Sequence, residues 1–201
     1  MDSLFKKLQD NVFDNTVNNI TYSVTKTNNY IILHIYNPLM EKTNITKNNE
    51  KFYKKLLSSL FHKDKSKKYM GCFNHETTDS DIKYNMNDID LLNHFLQIEY
   101  TFIMLDKKLE PLCNLCFSGG LICNVCTDYD NQKRGYMSML FKHILKLIKL
   151  DKLKKTYELD NITLNIRKNN PIKNKLLIYY KLFNFSETHE NDTYYTMKLK
   201  Y

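Results

Sequence analysis

The sequence predicts one α+β domain with α/β-type alternation, in which strands and helices follow one another along the chain. Two observations predict this class. Three short apolar runs separated by turn residues occupy 100–127, and amphipathic helical patterns stand on either side of them. A length of 201 residues suffices for one sizeable core.

The first half of the chain predicts three helices and two strands. Apolar residues at spacings of three and four indicate helices, whereas alternating apolar residues indicate strands. In chain order, these are a helix over 3–14, strands over 20–26 and 30–36, and helices over 49–62 and 88–97. We interpret 63–68 as a solvated linker and 69–86 as a long irregular loop.

The second half predicts a denser series of strands. In chain order, these elements are strands over 100–105, 112–117 and 121–127, a helix over 136–150, a strand over 161–167, a helix over 171–181, and strands over 183–188 and 194–201. Turn residues separate the first three strands. Pro171 suits the first turn of the helix that it opens.

The segment 121–150 organises the chain as strand, polar loop and amphipathic helix. The chain has only 4 Gly, and three of them, Gly119, Gly120 and Gly135, lie in or just before this segment. Gly135 stands where the loop becomes a helix, so its missing Cβ permits a positive φ or a close approach of the backbone. A helix N-terminus suits a phosphate group. An ordinary strand-to-helix turn is the alternative interpretation.

The residues around this loop carry a recognisable motif. The strand closes with Val125, Cys126 and Thr127, and the loop continues with Gln132, Lys133, Arg134, Gly135, Tyr136 and Met137. This pattern resembles the acetyl-CoA signature of the GNAT superfamily of N-acetyltransferases, which reads Gln or Arg, two residues, Gly, one residue, then Gly or Ala. Met137 departs from the final small residue.

A second motif supports the resemblance. The stretch 177–185 is similar to the family's late helix, which ends in Leu-Tyr, two residues, then Leu-Gly-Phe. Tyr180 falls on the tyrosine of that pattern, and Asn184 replaces its glycine, as Asn tolerates a left-handed backbone. Asn169 and Asn170 resemble an asparagine that lies near the pantetheine arm in the family.

The resemblance implies the GNAT fold. Its centre is a mixed, mostly antiparallel sheet of about seven strands flanked by helices, to which this chain adds an N-terminal helix and strand. We therefore expect a single domain over 1–201, with 1–29 as an N-terminal extension and 121–150 as the acetyl-CoA-binding core.

The resemblance also implies a reaction. A neutral primary amine attacks the thioester of acetyl-CoA directly in a ternary complex. Val125, Cys126 and Thr127 would contact the pantetheine, the N–H groups of 132–137 would hold the diphosphate, and Asn170 would lie near the pantetheine. Tyr180 would protonate the leaving thiolate. The candidates for a general base stay open: they are Glu99, Asp128, Glu187, Glu190 and the terminal carboxylate of Tyr201.

Two other functions compete with this one. The four cysteines Cys113, Cys116, Cys123 and Cys126 have the paired spacing of a zinc site. Each pair lies in a strand-like run, however, where positions i and i+3 face opposite sides, so we expect no metal. The net charge of +8 permits nucleic-acid binding, but the lysines are spread along the chain, which favours solvated faces.

The remaining expectations concern partners and location. No signal peptide and no apolar run of membrane-spanning length is visible, so we expect a soluble, intracellular (cytoplasmic) protein without a membrane partner. Its expected partners are acetyl-CoA and an amine acceptor. A protein of this fold that binds CoA without catalysis is a further alternative. Protein N-termini, lysines, polyamines and amino sugars all stay open as acceptors, and the oligomeric state stays open as well.

Overall fold

An eight-stranded sheet forms the centre of the protein in a computed structural model, which describes residues 21–37, 61–63, 69–71, 98–108, 110–127, 129–150 and 161–200. The strands are β1 Thr21–Lys26, β2 Ile31–Tyr36, β3 Phe61–Lys63, β4 Tyr69–Gly71, β5 Tyr100–Leu105, β6 Pro111–Ser118, β7 Leu121–Thr127, β8 Thr163–Arg167, β9 Phe185–Glu190 and β10 Tyr194–Leu199. The main sheet has the order β1-β2-β5-β6-β7-β8-β10-β9, and β3 pairs with β4 separately.

Two helices flank the main sheet within the described part of the chain. Helix α1 is Tyr136–Lys149, and α2 is Lys173–Lys181. A short 3-10 turn, Tyr129–Asn131, leads from β7 toward α1. The boundaries of α1 and α2 differ from the predicted ones by at most two residues, as capping and pairing rather than periodicity decide where an element ends.

The sheet is mixed and mostly antiparallel, which confirms the predicted fold class. Among the described strand pairs, only β7 and β8 run parallel. Helix α1 lies between these two strands in the chain, because a parallel pair needs a long crossover connection. The added N-terminal strand is β1, which pairs antiparallel with β2 at the edge of the sheet.

The core lies between the sheet and the two helices. Helix α1 buries Leu140, Phe141, Ile144 and Ile148, whose spacing places them on one face. The ring of Phe141 lies 5.0 Å from that of Phe183, which follows α2. Helix α1 is therefore fixed against both the sheet and the end of α2.

The two faces of the sheet have different characters. Residues paired across neighbouring strands share a face. Cys113, Leu115 and Phe117 of β6 belong to the core beneath the helices. The alternate residues Asn114 and Cys116 are also buried but face the other way. In β6 the helix-covered face is thus apolar, whereas the opposite face carries a buried polar group, Asn114.

One helix prediction is wrong at its end. Residues Phe61 and His62 belong to β3, which pairs with β4 at Phe61–Gly71 and His62–Met70, so the helix over 49–62 does not reach its predicted end. The linker over 63–68 and the irregular loop over 69–86 likewise begin with strand residues. Local periodicity does not reveal a partner ten residues away. The remainder of these segments, and the helices over 3–14 and 88–97, lie outside the described residues.

Candidate functional site

The parallel strands β7 and β8 separate soon after they meet. They pair only at Leu121–Thr163 and Ile122–Leu164, although both strands continue. On its other edge, β7 keeps its pairing with β6 as far as Thr127. The edge of β7 beyond Ile122 therefore presents main-chain groups that β8 does not pair.

A β-bulge marks the point of separation. Cys116 pairs with Asn124 and Phe117 with Ile122, so Cys123 is an extra residue in β7. A bulge bends its strand and increases the local twist. Because the bulge immediately follows the last pair with β8, it turns β7 away from its parallel neighbour.

Gly120 fixes the closed end of this gap. Its φ is +79°, and a Cβ on it would lie 2.2 Å from the carbonyl oxygen of Asn161. The carbonyl oxygen of Gly120 accepts a hydrogen bond from Thr163 N at 2.9 Å. Only a glycine lets the start of β7 approach the start of β8 this closely.

A cavity of about 570 Å³ fills the opened gap. Its described lining consists of Ile122, Cys123, Asn124, Val125, Thr127, Asn131, Lys133, Gly135, Tyr136, Met137, Ser138, Leu164, Asn165, Ile166, Arg167, Asn170, Ile172, Leu176, Tyr179 and Tyr180. Consecutive residues of both strands appear in it. Since neighbouring residues of a strand face opposite sides, the cavity extends into the gap between the strands.

The N-terminus of α1 forms one wall of the cavity. Gly135 is its N-cap, with φ 81° and no side-chain hydrogen bond that caps the helix. The first helical hydrogen bond is from Met139 N to Gly135 O at 3.1 Å. The N–H groups of the first turn, 136–138, thus have no acceptor within the helix, and they form the positive end of the helix dipole. Of the two roles predicted for Gly135, the structure shows the positive φ and not the close approach, since a Cβ there would meet nothing within 4 Å.

The cavity brings together eight of the eleven residues that the sequence assigned to the site. These are Val125, Thr127, Lys133, Gly135, Tyr136, Met137, Asn170 and Tyr180. The other three are not part of the described lining: Cys126 is buried on the face opposite the helices, and Gln132 and Arg134 are exposed on the loop. All eleven assignments to cofactor binding or catalysis stay predictions.

Met137 is half-buried and packs against the core. A large side chain is accommodated there because the core beneath α1 receives it, whereas the main chain at 137 still borders the first turn of the helix. Lys133 adopts a left-handed conformation with φ 62° and lines the cavity. It supplies a positive charge beside the N-terminus of α1.

The wall contributed by β8 leads to the start of α2. Arg167, at the end of β8, lines the cavity, and its guanidinium lies 5.9 Å from the centre of the Tyr194 ring. Asn170 closes the following turn, where its side-chain Oδ1 accepts a hydrogen bond from Ile172 N at 3.0 Å. Asn170 thus shapes the loop that leads into α2, in addition to lining the cavity.

Two adjacent tyrosines of α2 reach the cavity in different ways. Tyr180 is 7% exposed and packs with Phe141 and Phe185, and burial, followed by the influence of Tyr179, raises its pKa well above the usual range. The hydroxyl of Tyr179 lies 3.2 Å from that of Ser138 in the first turn of α1. Burial also raises the pKa of Tyr179, so both phenols are protonated at neutral pH.

Three of the candidate bases are engaged outside the described lining of the cavity. Glu99 accepts a hydrogen bond from Gly119 N at 2.7 Å. Glu187 pairs with Lys181 at 2.6 Å, and Glu190 pairs with Lys168 at 2.7 Å. Asp128 and Tyr201 lie outside the described residues.

The cysteines of β6 occupy opposite faces, as their spacing in a strand predicted. Cys113 belongs to the helix-covered core, whereas Cys116 lies among the polar groups of the other face. Burial raises the pKa of Cys113 to about 12 and that of Cys123 to about 11, so both are protonated thiols at neutral pH. Within the described ranges, no group of three or more His, Cys, Asp or Glu is placed to hold a metal ion.

Several residues of the cavity are not among those predicted from the sequence, notably Asn124, Ser138, Arg167 and Tyr179. Ser138 stands one position beyond the motif, and Arg167 ends a predicted strand, but neither position is distinguished by its local pattern. Asn124 lies inside a strand that was expected to contact CoA. Its polar side chain in a buried run was the one signal that would have marked it.

Comparisons with known proteins give weak similarities. No protein-family profile and no curated protein sequence matches the chain. Among solved structures, the Escherichia coli ribosomal-protein-S18-alanine N-acetyltransferase is 18% identical with a TM-score of 0.37, over 49% of this chain and 66% of its own. An acyl-CoA N-acyltransferase from Pseudomonas aeruginosa is 15% identical with a TM-score of 0.34, over 50% and 68%.

A protein proposed to be a GnaT-family acetyltransferase, from Bordetella pertussis, is similar over more of the chain. It is 11% identical with a TM-score of 0.49, over 88% of this chain and 99% of its own. This chain spans about two thirds of the length of each of the two proteins from Escherichia coli and Pseudomonas aeruginosa. At these low scores the likenesses say nothing about the chemistry of this chain, which we infer from the site itself.

No helix in the described ranges is long and apolar enough to cross a membrane.

Proposed function

We propose that this protein is an N-acetyltransferase that transfers the acetyl group of acetyl-CoA to a primary amine. The observation that carries the proposal is the opened parallel pair, in which β7 leaves β8 after Ile122 and the gap ends at the N-terminus of α1. An extended, amide-containing chain with a diphosphate at one end matches both parts of this cavity.

The anionic end of CoA would lie at the mouth of the cavity. The first-turn N–H groups of α1 supply donors and a partial positive charge, and Lys133 and Arg167 add two full charges. The oxygens of a diphosphate would accept hydrogen bonds from several of these N–H groups and pair with both positive charges. The nucleotide part would then extend toward solvent.

The pantetheine arm would lie along the free edge of β7. Its two amides can pair with main-chain N–H and C=O groups of 123–127, as an added strand pairs with the edge of a sheet. The carboxamide of Asn170 borders the same cavity. This placement directs the thioester toward the closed end of the gap, near Ile122 and Leu164.

The reaction is a balanced acyl transfer. The amine nitrogen attacks the thioester carbon, the C–N bond forms, and the C–S bond breaks. The amine loses one proton and the leaving thiolate gains one, so no further reactant is needed. Main-chain N–H groups of the free edge stabilise the oxyanion, and the Tyr180 hydroxyl, which is protonated at neutral pH, donates to the leaving sulfur.

Calorimetric titration with acetyl-CoA and, in parallel, desulfo-CoA tests the binding site. We expect micromolar dissociation constants for both compounds. Lys133→Ala should weaken binding several-fold, and more strongly at low salt, because it removes a charge beside the diphosphate. Lys198→Ala on β10, outside the described cavity lining, is the matched control. Absence of binding to the wild-type protein would refute the proposal.

The role of Tyr180 requires a separate experiment. Tyr180→Phe should lower kcat tenfold or more while desulfo-CoA binding is retained, because only the proton donor is lost. Tyr195→Phe on β10 is the control, as it also removes one phenolic hydroxyl. An unchanged kcat for Tyr180→Phe would exclude this role, and Tyr179, whose hydroxyl bonds Ser138, would be tested next.

A second candidate is a protein that binds CoA without catalysis. The observation that favours it is the engagement of Glu99, Glu187 and Glu190 in contacts outside the described cavity lining. Tight binding of desulfo-CoA without thiol release from acetyl-CoA, across a panel of amines, would support this candidate.

A further inference from the structure

A second cavity, of about 380 Å³, lies at the other end of α1. Its walls come from the C-terminal half of α1, from residues 182–184 between α2 and β9, and from the end of β10. Its described lining shares no residue with that of the cavity between β7 and β8. Binding in this second cavity is therefore independent of the proposed acetyl transfer.

The cavity is apolar at its floor and at its rim. Ile148, Phe183 and Leu199 belong to the buried core and form the floor. At the rim, Leu150 is 55% exposed and Leu182 is 77% exposed, which leaves two large apolar side chains in water. A ligand with an apolar part would gain free energy by covering them.

Four lysines from two walls surround this apolar surface. They are Lys142, Lys146 and Lys149 of α1 and Lys200 at the end of β10. Spacings of four and three residues place the first three on one face of the helix. The described lining contains no aspartate or glutamate, and the ion pairs found among the described residues use other lysines. The cavity thus has a net positive charge that no neighbouring carboxylate of its described lining offsets.

The helix dipole explains only two of these lysines. Lys146 and Lys149 lie in the last turn of α1, where a cation is favourable beside carbonyl groups that have no partner within the helix. That effect is confined to the last turn. Lys142 lies one turn earlier and Lys200 lies on another wall, so neither serves this purpose. A bound anion would account for all four charges.

The combination of charge and apolar surface selects the class of ligand. Cavities of about 300–1,000 Å³ with mostly apolar linings and a few polar groups are typical of small-molecule sites, and this one lies at the small end of that range. The phosphates of a nucleic acid would pair with the lysines but would leave Leu150 and Leu182 exposed. An anion with an alkyl chain would satisfy both features.

We propose that this cavity binds a free medium-chain alkyl carboxylate, a ligand beyond those of the proposed acetyl transfer. The lysines of the two walls hold the carboxylate by charge-assisted hydrogen bonds. The alkyl chain lies on the apolar floor and covers Leu150 and Leu182. Binding is reversible and involves no covalent step.

Calorimetric titration with decanoate, below its micelle concentration, tests the inference. We expect a dissociation constant of about 10–100 μM, as is usual for a ligand of this size. 1-Decanol, which lacks the charge, and decyltrimethylammonium, which has the opposite charge, should bind at least tenfold more weakly. Hexanoate should also bind at least tenfold more weakly, because each methylene removed from water contributes a factor of about three to four. Added salt should weaken the binding of decanoate.

One pair of double variants tests the charges. Combining Lys142→Gln with Lys146→Gln should weaken decanoate binding tenfold or more, because glutamine keeps a polar side chain but removes the charge. Combining Lys173→Gln with Lys175→Gln on α2, outside the described lining, is the matched control. It removes the same number of charges and should leave the dissociation constant within twofold of the wild type.

A second pair of variants tests the apolar rim. Leu182→Glu places a carboxylate at the cavity and should weaken decanoate binding tenfold or more. Ile178→Glu is its control, since Ile178 is 64% exposed, lies one turn earlier in the chain and is outside the described lining. Both side chains are on the surface, so thermal unfolding should show that both variants remain folded.

The outcomes separate this inference from the proposed function. Equal affinity for decanoate and 1-decanol, or unchanged affinity in the Lys142/Lys146 variant and in Leu182→Glu, would overturn the inference. Competition between decanoate and desulfo-CoA would also overturn it, because the carboxylate would then bind in the other cavity. Sedimentation with phosphatidylserine vesicles, lost in Leu182→Glu and unaccompanied by binding of decanoate, would assign the surface to a membrane instead. Binding of decanoate without binding of desulfo-CoA would remove the proposed function alone.

Discussion

Two glycines with nearly the same positive φ allow the cost of that φ to be separated from the cost of a steric clash. Gly120 has φ +79° and Gly135 has φ +81°. A Cβ on Gly120 would lie 2.2 Å from the carbonyl oxygen of Asn161, whereas a Cβ on Gly135 would meet nothing within 4 Å. Alanine at each position therefore introduces the same strain but only one clash.

The expected magnitudes follow from these distances. A left-handed conformation costs an L-residue roughly 1–2 kcal/mol, so Gly135→Ala should lower the free energy of unfolding by about that amount. Gly120→Ala carries the same cost and also forces the main chains at the β7–β8 junction apart. Overpacking of this kind adds roughly 1–3 kcal/mol, which gives a total of about 2–5 kcal/mol.

Urea denaturation measures both changes through the midpoint, provided that the slope m is unchanged. The control is Gly135→Asn, because asparagine tolerates the left-handed region better than alanine, and it should be less destabilising than Gly135→Ala. Equal losses for Gly120→Ala and Gly135→Ala would refute the assignment of a steric role to Gly120. A loss for Gly135→Asn as large as that for Gly135→Ala would refute the conformational explanation at Gly135.

Two further predictions concern stability. Burial, followed by the influence of His143, lowers the pKa of His34 from 6.5 to about 4. Between these two pH values the unfolded chain binds more protons than the folded protein. The free energy of unfolding should therefore fall by up to about 3 kcal/mol as the pH drops from about 6.5 to 4. His34→Phe, which can retain the stacking on Phe102, should reduce this pH dependence in chemical denaturation at several pH values; an unchanged slope would contradict the assignment. Asn184 has φ 65°, so Asn184→Ala should cost about 1 kcal/mol in thermal unfolding, whereas Asn184→Gly should be tolerated. Equal effects of these two substitutions would count against backbone strain.

The order and type of the described elements were largely predictable because they depend on local patterns. Periodicity located β5, β7 and α1 to within one residue. The predicted left-handed backbone at Asn184 is confirmed by its φ of 65°. Scarce glycines marked the two turns that frame the organising segment. These signals are local, since each depends on the spacing or the backbone freedom of residues close together in the chain.

The shape of the site depended on contacts between distant residues. The gap opens because Cys123 forms a bulge against β6 and because Gly120 meets Asn161 forty-one residues later, and no local pattern encodes either contact. The face of the sheet on which Asn124 lies was equally inaccessible, since the bulge at Cys123 decides it. The sequence by itself determined the type and order of most of the described strands and helices, because these depend on local spacing. The tertiary structure decided which side chains meet in the gap, because pairing between remote strands sets their separation.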